Sequence, residues 1–173
     1  MQKRPEASEY PAYYSSYVNL VPEGDIVSIL SQQKNEMIEL LKDMTEMQSL
    51  FQYDSDKWTV KEVLGHIVDT ERIMGYRLLC FARGEASPLP GFDENAYVQN
   101  ASFNILSIQE LLESFSAVRL STIHLLKSLD SAAWSREGTA NGTVVTVHAI
   151  ASIIAGHELH HRKILKERYF NGK

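Results

Sequence analysis

Cysteine is almost missing from this 173-residue chain: Cys80 is the only one. That excludes an internal disulfide and any CxxC redox or metal motif. Basic residues are also short, 17 Lys and Arg against 22 Asp and Glu for a formal net charge of −5. Neither nucleic acid nor an anionic membrane surface is therefore an expected partner. No apolar run is long and uncharged enough to span a bilayer. The opening Met1-Gln2-Lys3-Arg4-Pro5-Glu6 leads into tyrosine-rich sequence without the apolar core of a secretion signal, so the expected location is the cytoplasm. Clean period-two alternation is missing too, as are repeats of fixed period and low-complexity tracts, and strands are not expected. What remains is an ordinary globular composition, 44% hydrophobic and 23% charged. Its length suits one domain, residues 1–173, around one core.

Residues 1–24 hold Pro5, Pro11, Pro22 and Gly24 with four tyrosines between them, which reads as an arm packed on the body. Asp25 is a predicted N-cap, and Ile26, Ile29, Leu30, Met37, Leu40, Leu41 and Met44 place a first helix over 26–46. Thr59-Val60-Lys61-Glu62 has the capping-box pattern and opens a second helix to Ala82, with Gly84 as its stop. Its apolar stripe is Val60, Val63, Leu64, Ile67, Met74 and Leu78. The long stretch 83–106, with Pro88, Pro90 and Gly91, is long enough to cross the whole body or to serve function. Ser107-Ile108-Gln109-Glu110 is a second capping box and opens a third helix, with Leu111, Phe115, Val118, Thr122, Leu125 and Leu129 inward and His124 outward. After the turn-rich 130–143, Val144 to Tyr169 forms a fourth. Four long amphipathic helices make an all-α helix bundle. The long link lets the second and third run parallel through a crossover.

The chemistry concentrates in the last helix, at Gly156-His157-Glu158-Leu159-His160-His161-Arg162. At four residues' separation His157 and His161 lie about 40° apart on one helix face. Val147, Ile150, Ile154 and Leu165 share that face, so two imidazoles are aimed at the interior. Buried imidazoles need partners, and one metal ion satisfies both. His66, midway along the first half of the second helix, completes a three-nitrogen set if the two helices are neighbours. Three nitrogens with a free position make a catalytic site, whereas a structural one takes four ligands. Neutral imidazole suits zinc, nickel, cobalt, iron or copper. Asp69 has three readings: a fourth ligand, an acceptor that orients a ligand histidine, or a general base. Duller readings stand beside these. The helix-four pair would be a hydrogen-bonded core pair, His66 a half-buried histidine and Asp69 a surface carboxylate. His160 replaces His161 if the helix is rotated. Glu158 points about 100° from His157 and is expected to be solvated or paired with Arg162. The loop 83–106 and the tyrosine arm are the expected pocket walls.

Three stretches then resemble the DinB-like superfamily, the DinB/YfiT group. They are Lys57-Trp58-Thr59-Val60-Lys61-Glu62-Val63-Leu64-Gly65-His66-Ile67-Val68-Asp69-Thr70-Glu71-Arg72, Leu89-Pro90-Gly91-Phe92-Asp93-Glu94-Asn95-Ala96-Tyr97 and Gly156-His157-Glu158-Leu159-His160-His161. The arm around Arg4-Pro5 and Glu9-Tyr10 shares the likeness. The resemblance implies a four-helix bundle with an up-down-down-up path. It implies a divalent metal, zinc or nickel first, held by histidines that map onto His66, His157 and His161, and a homodimer. It implies a metal-dependent hydrolase of a small molecule, or a transferase that moves a low-molecular-weight thiol such as bacillithiol, mycothiol or glutathione to an electrophile. A metal-binding sensor or buffer without turnover, and a structural bundle with remnant histidines, are the competing classes.

Overall fold

Four capped helices carry the architecture, and a computed structural model describes residues 3–170 of the chain. In order the elements are α1 (Ser15–Val18), α2 (Ile26–Leu41), α3 (Glu46–Ser49), α4 (Val60–Ala82), α5 (Glu94–Asn100), α6 (Ile108–Lys127), β1 (Glu137–Ala140), β2 (Thr143–Thr146) and α7 (Val147–Ile164). The caps are those the sequence shows. The Asp25 carboxylate accepts from the Ser28 backbone N–H, and Thr59/Glu62 and Ser107/Glu110 both close reciprocal capping boxes. Each such cap is worth about 1 kcal/mol, because it satisfies donors that no helical carbonyl can reach. Gly84 ends α4 with a φ of 83°, a left-handed turn that a Cβ would disfavour.

The four long helices form a square. α2 and α4 each pack against both α6 and α7, which leaves α2–α4 and α6–α7 as the diagonals. Contacts set the directions. On α4 and α6, Arg72 reaches Ser114 and Glu71 reaches Arg119, with Gly75 beside Thr122 further along, so the two run parallel. On α2 and α7, Gln33 bonds the Ala155 carbonyl and Glu36 pairs with Arg162, again parallel. Tyr169, beyond α7, donates to the Trp58 carbonyl ahead of α4, which makes that pair antiparallel. The path is up-down-down-up, a four-helix bundle with the α4–α6 crossover running through residues 83–107.

Between the two apolar clusters of the core lies a polar seam. Arg119 on α6 is fully buried and pairs with Glu71 on α4, its Nε 2.8 and 2.9 Å from the two carboxylate oxygens. Its Nη1 donates to the Leu30 carbonyl and to Gln33 Oε1, each at 3.3 Å, and Gln33 Nε2 donates to the Ala155 carbonyl at 3.2 Å. One connected network thus touches all four long helices. Removing one partner of such a pair leaves a buried charge uncompensated, which is why the seam fixes the helices' register.

Several expectations change. The first helix stops at Leu41, not 46, and a new short helix, α3, is capped by Thr45. On α6 Leu111, Phe115 and Thr122 are buried as expected, but Leu112, Arg119, Ile123 and Leu126 join them while Val118, Leu125 and Leu129 are only half buried. The last helix begins at Val147, not Val144, because 143–146 pairs with 137–140 as an antiparallel hairpin. Asn141 and Gly142 at φ 52° and 74° form the two-residue turn whose twist suits a hairpin. At its far end α7 widens into a π-type turn over Leu165–Phe170. No helix among the described residues is long and apolar enough to cross a membrane.

Candidate metal centre

His66 lies in the second turn of α4, and His157 and His161 lie in the second half of α7. Because the two helices run antiparallel and in contact, the rings meet. His66 Nε2 is 3.0 Å from His157 Nε2, which is 3.1 Å from His161 Nε2. All three nitrogens fall within 4.8 Å of one another. Burial strips water from the rings, and each further penalises a charge on its neighbours. His66 is held down to about 4 by desolvation and then by nearby His160, and His161 to about 3 by desolvation and then by His66. Desolvation, and then His161 and His66, push His157 well below the usual imidazole range. The rings are neutral at pH 7.

Three neutral imidazoles that turn the same nitrogen toward one point satisfy each other poorly, since each Nε2 offers either one lone pair or one N–H. His157, which faces both neighbours, can serve them only by sharing one hydrogen or one lone pair between the two. A cation at their centre resolves this. Metal–nitrogen bonds of about 2.0–2.1 Å put tetrahedral ligand atoms about 3.3 Å apart, within the range these nitrogens span. The donor set fits a divalent transition metal.

Two aromatic rings dry the cluster. Trp58 lies 4.8 Å, centroid to centroid, from His66, and Tyr17 lies 5.5 Å from His157, edge-on. Tyr17 gets there through Gly156. A Cβ at that residue would stand 2.1 Å from the Tyr17 carbonyl oxygen, so α1 can cross α7 only where a side chain is missing. Beyond His157 opens a pocket of about 570 Å³, walled by Tyr13, Tyr14 and Tyr17 of the arm and by Gly91, Phe92 and Glu94 of the long link. The hairpin props up the second wall. Leu89 bonds Thr139 and Asn141 through its backbone, and Gly91 is in contact with the Asn141 side chain.

The model of the DinB superfamily matches residues 29–165, which is most of the chain. The chain belongs to the DinB superfamily. Its fold is similar to that of YfiT from Bacillus subtilis at a TM-score of 0.75 and 17% identity, over 85% of this chain and 90% of that one. That protein is described as a probable metal-dependent hydrolase with an unusual four-helix bundle topology. No protein of curated function matches the sequence. At 17% identity the likeness to YfiT speaks for the fold, while the histidine cluster is a feature of this chain's own structure.

Of the residues singled out from the sequence of this DinB-superfamily chain, His66, His157 and His161 come together and Asp69 does not. Its carboxylate takes a 2.8 Å ion pair with Arg72 on the half-exposed side of α4, and Arg72 also donates to Ser114 of α6. His160 is half-buried, with Tyr17 5.2 Å away edge-on, and lies outside the set of converging nitrogens. His148 pairs with Glu9 at 3.3 Å, and His124 is exposed. Glu158 is not solvated: it is fully buried, its Oε1 3.2 Å from Arg162 Nε, and desolvation raises its pKa to about 7. Sequence reasoning passed over Thr70, Glu71, Arg77 and Arg119, all nine-tenths buried or more. A signal existed. Glu71 fills the gap between Ile67 and Met74 in the apolar stripe of α4, and Arg119 sits seven residues from both Leu112 and Leu126.

Proposed function

We propose that this chain is a metal-dependent enzyme, binding one divalent ion, zinc or nickel, through His66, His157 and His161 and acting on a small molecule in the adjoining pocket. The reaction is transfer of a low-molecular-weight thiol to an electrophile, or hydrolysis. Convergence of three neutral imidazoles, one of which, His157, lines a 570 Å³ pocket, carries the reading. When bound there, the ion supplies Lewis acidity, which makes a water or a thiol reactive near neutral pH. The protein's own residues do the rest. The histidines stay neutral and so keep their lone pairs available as pH falls. Trp58 and Tyr17 exclude water from the ligand side, and the arm and the long link confine the reactant against His157. A pocket of this size, in the range of small-molecule sites, favours turnover over a sensor or buffer, which needs no such chamber. We place the enzyme in the cytoplasm, as a homodimer.

The test is elemental analysis of protein purified without a histidine tag, followed by assays of thiols with an electrophilic dye and of hydrolysable esters and amides. One metal per chain is expected, and His161→Ala should lose the metal and the activity together. Full occupancy in that variant would overturn the ligand assignment. Full occupancy in the parent without turnover of any reactant would favour the sensor.

A further inference from the structure

Among the described residues Arg77 has no carboxylate partner. Its side chain is 4% exposed, yet no acid among the described residues lies within ion-pair distance of it. Nη2 donates to the Pro90 carbonyl at 2.7 Å, Nη1 has the Met74 sulfur at 3.5 Å, the Tyr14 hydroxyl lies against the guanidinium, and Phe92 lies under the guanidinium carbon at 5.8 Å, but none of these carries a negative charge. Those contacts occupy part of a fork with five N–H donors. A buried cation left in this state is costly unless a ligand completes it. The guanidinium lines the same 570 Å³ pocket as His157. A second group in that pocket is incomplete as well: the Thr70 hydroxyl is buried without a hydrogen-bond partner. By contrast, Arg119 neutralises Glu71, and Asp93 spends its carboxylate on the backbone N–H groups of Asn95 and Ala96.

Along α4 the order is His66, Thr70, Arg77, and at about 1.5 Å per residue Arg77 stands about 16 Å from His66 between backbones. Long helical side chains lean toward the helix start. The contact of Arg77 with Met74 agrees with that lean, which brings the guanidinium back toward Thr70. The walls between these points are apolar or aromatic: Ile67, Ile153, Ile154 and the tyrosines.

We propose that the pocket takes a small monocarboxylic acid with an apolar body. Its carboxylate lies on the Arg77 fork, a second polar atom meets the Thr70 hydroxyl, and its opposite end faces His157. A planar carboxylate matches the guanidinium edge in two parallel hydrogen bonds. A dianionic phosphate fits less well, because Glu94 at the mouth adds repulsion and the lining offers a single free cation. This inference rests on the reading that the pocket is the substrate site, but it does not need the metal in order to be tested.

Binding of 4-phenylbutyrate, its amide, and 3-phenylpropyl phosphate is to be measured by calorimetry and by NMR on the full chain, loaded with zinc. The acid should bind roughly ten- to a hundredfold tighter than the amide, the range for a hydrogen bond to a charged group. That preference should vanish in Arg77→Gln and persist in His161→Ala. If it vanishes in His161→Ala, the acid binds at the ion and the proposal fails. It fails equally if acid and amide bind alike, if the phosphate binds best, or if Arg77→Gln weakens both ligands by the same factor, the mark of a purely structural arginine. Should Arg77→Gln not fold, Arg77→Lys must shrink the acid-to-amide ratio, and Thr70→Val must weaken the acid by two- to tenfold with an unchanged melting temperature. Unchanged values in both would also overturn it.

Discussion

Two polar clusters sit inside this bundle and differ in one respect. The Glu71–Arg119–Gln33 seam pairs opposites, since a carboxylate, a guanidinium, an amide and two carbonyls answer one another across four helices. The His66–His157–His161 cluster sets three like nitrogens against one another, and His157 must share one hydrogen or one lone pair between two neighbours at 3.0 and 3.1 Å. Both lie largely out of solvent and both join separate helices. Burial of polar groups alone therefore does not mark a ligand site; an unanswered set of donors or acceptors does. The seam holds the fold, and the histidines hold something else.

The sharpest way to break that contrast is to remove one member of each cluster. His157→Leu should abolish metal binding, a larger effect than the ten- to hundredfold loss that follows removal of a merely supporting hydrogen bond. It should leave the chelator-treated protein as stable as the parent or more so, because a crowded buried imidazole has been replaced by an apolar group. Arg119→Leu should do the reverse, keeping the metal and costing about 3–5 kcal/mol in denaturant melts, as for other buried pairs left with one charge. Glu71→Leu combined with Arg119→Leu should recover much of that loss. If Arg119→Leu sheds the metal, or the double variant is worse than the single, the two clusters are one unit.

Next in size is Gly156→Ala. Its methyl meets the Tyr17 backbone at 2.1 Å, so α1 must lift, at a cost of about 1–3 kcal/mol for overpacking. Proteolysis within residues 10–20 should become faster while metal content stays at one per chain. An unchanged cleavage rate would show that the arm does not depend on that notch.

The pH dependence of the chelated protein comes third. His66 and His161 have folded pKa values lowered to about 4 and about 3 from an ordinary value near 6.5. Below 6.5 the unfolded chain takes up protons that the folded chain refuses, so stability is full above 6.5 and falls as pH drops toward 4. The melting temperature should follow this slope, and His66→Leu should flatten it. A flat parent profile would mean that the imidazoles are not desolvated as the geometry indicates. Asp69→Asn, last, should change stability by under about 0.5 kcal/mol and metal content not at all, because it breaks only a half-exposed pair with Arg72. Loss of metal there would restore Asp69 to the site.

The parts of this molecule legible in its sequence are those set by neighbours along the chain. Thr59 with Glu62 and Ser107 with Glu110 cap within one turn, and His157 with His161 share a face through helix geometry alone. The hairpin at 137–146 escaped because its strands are four residues each and take their support from Leu89, far off in sequence. Arg119 escaped because a charge at an inward position looks like a break in the stripe until its partner on another helix is known. Asp69 was drawn to the site by its spacing from His66. Its choice of Arg72 over the histidines depends on how α4 is rotated against α6.

What the chain determines by itself, then, is four amphipathic rods, their caps, and a pair of imidazoles on the inward face of the last, because periodicity and capping act over three or four residues. Only the tertiary structure decided that His66 completes that pair, that Gly156 admits the arm, and that Arg77 lines the pocket without a carboxylate beside it and Thr70 without a hydrogen bond. Those facts depend on which helices are neighbours and how each is turned. Packing of the whole core settles that, and no local spacing encodes it.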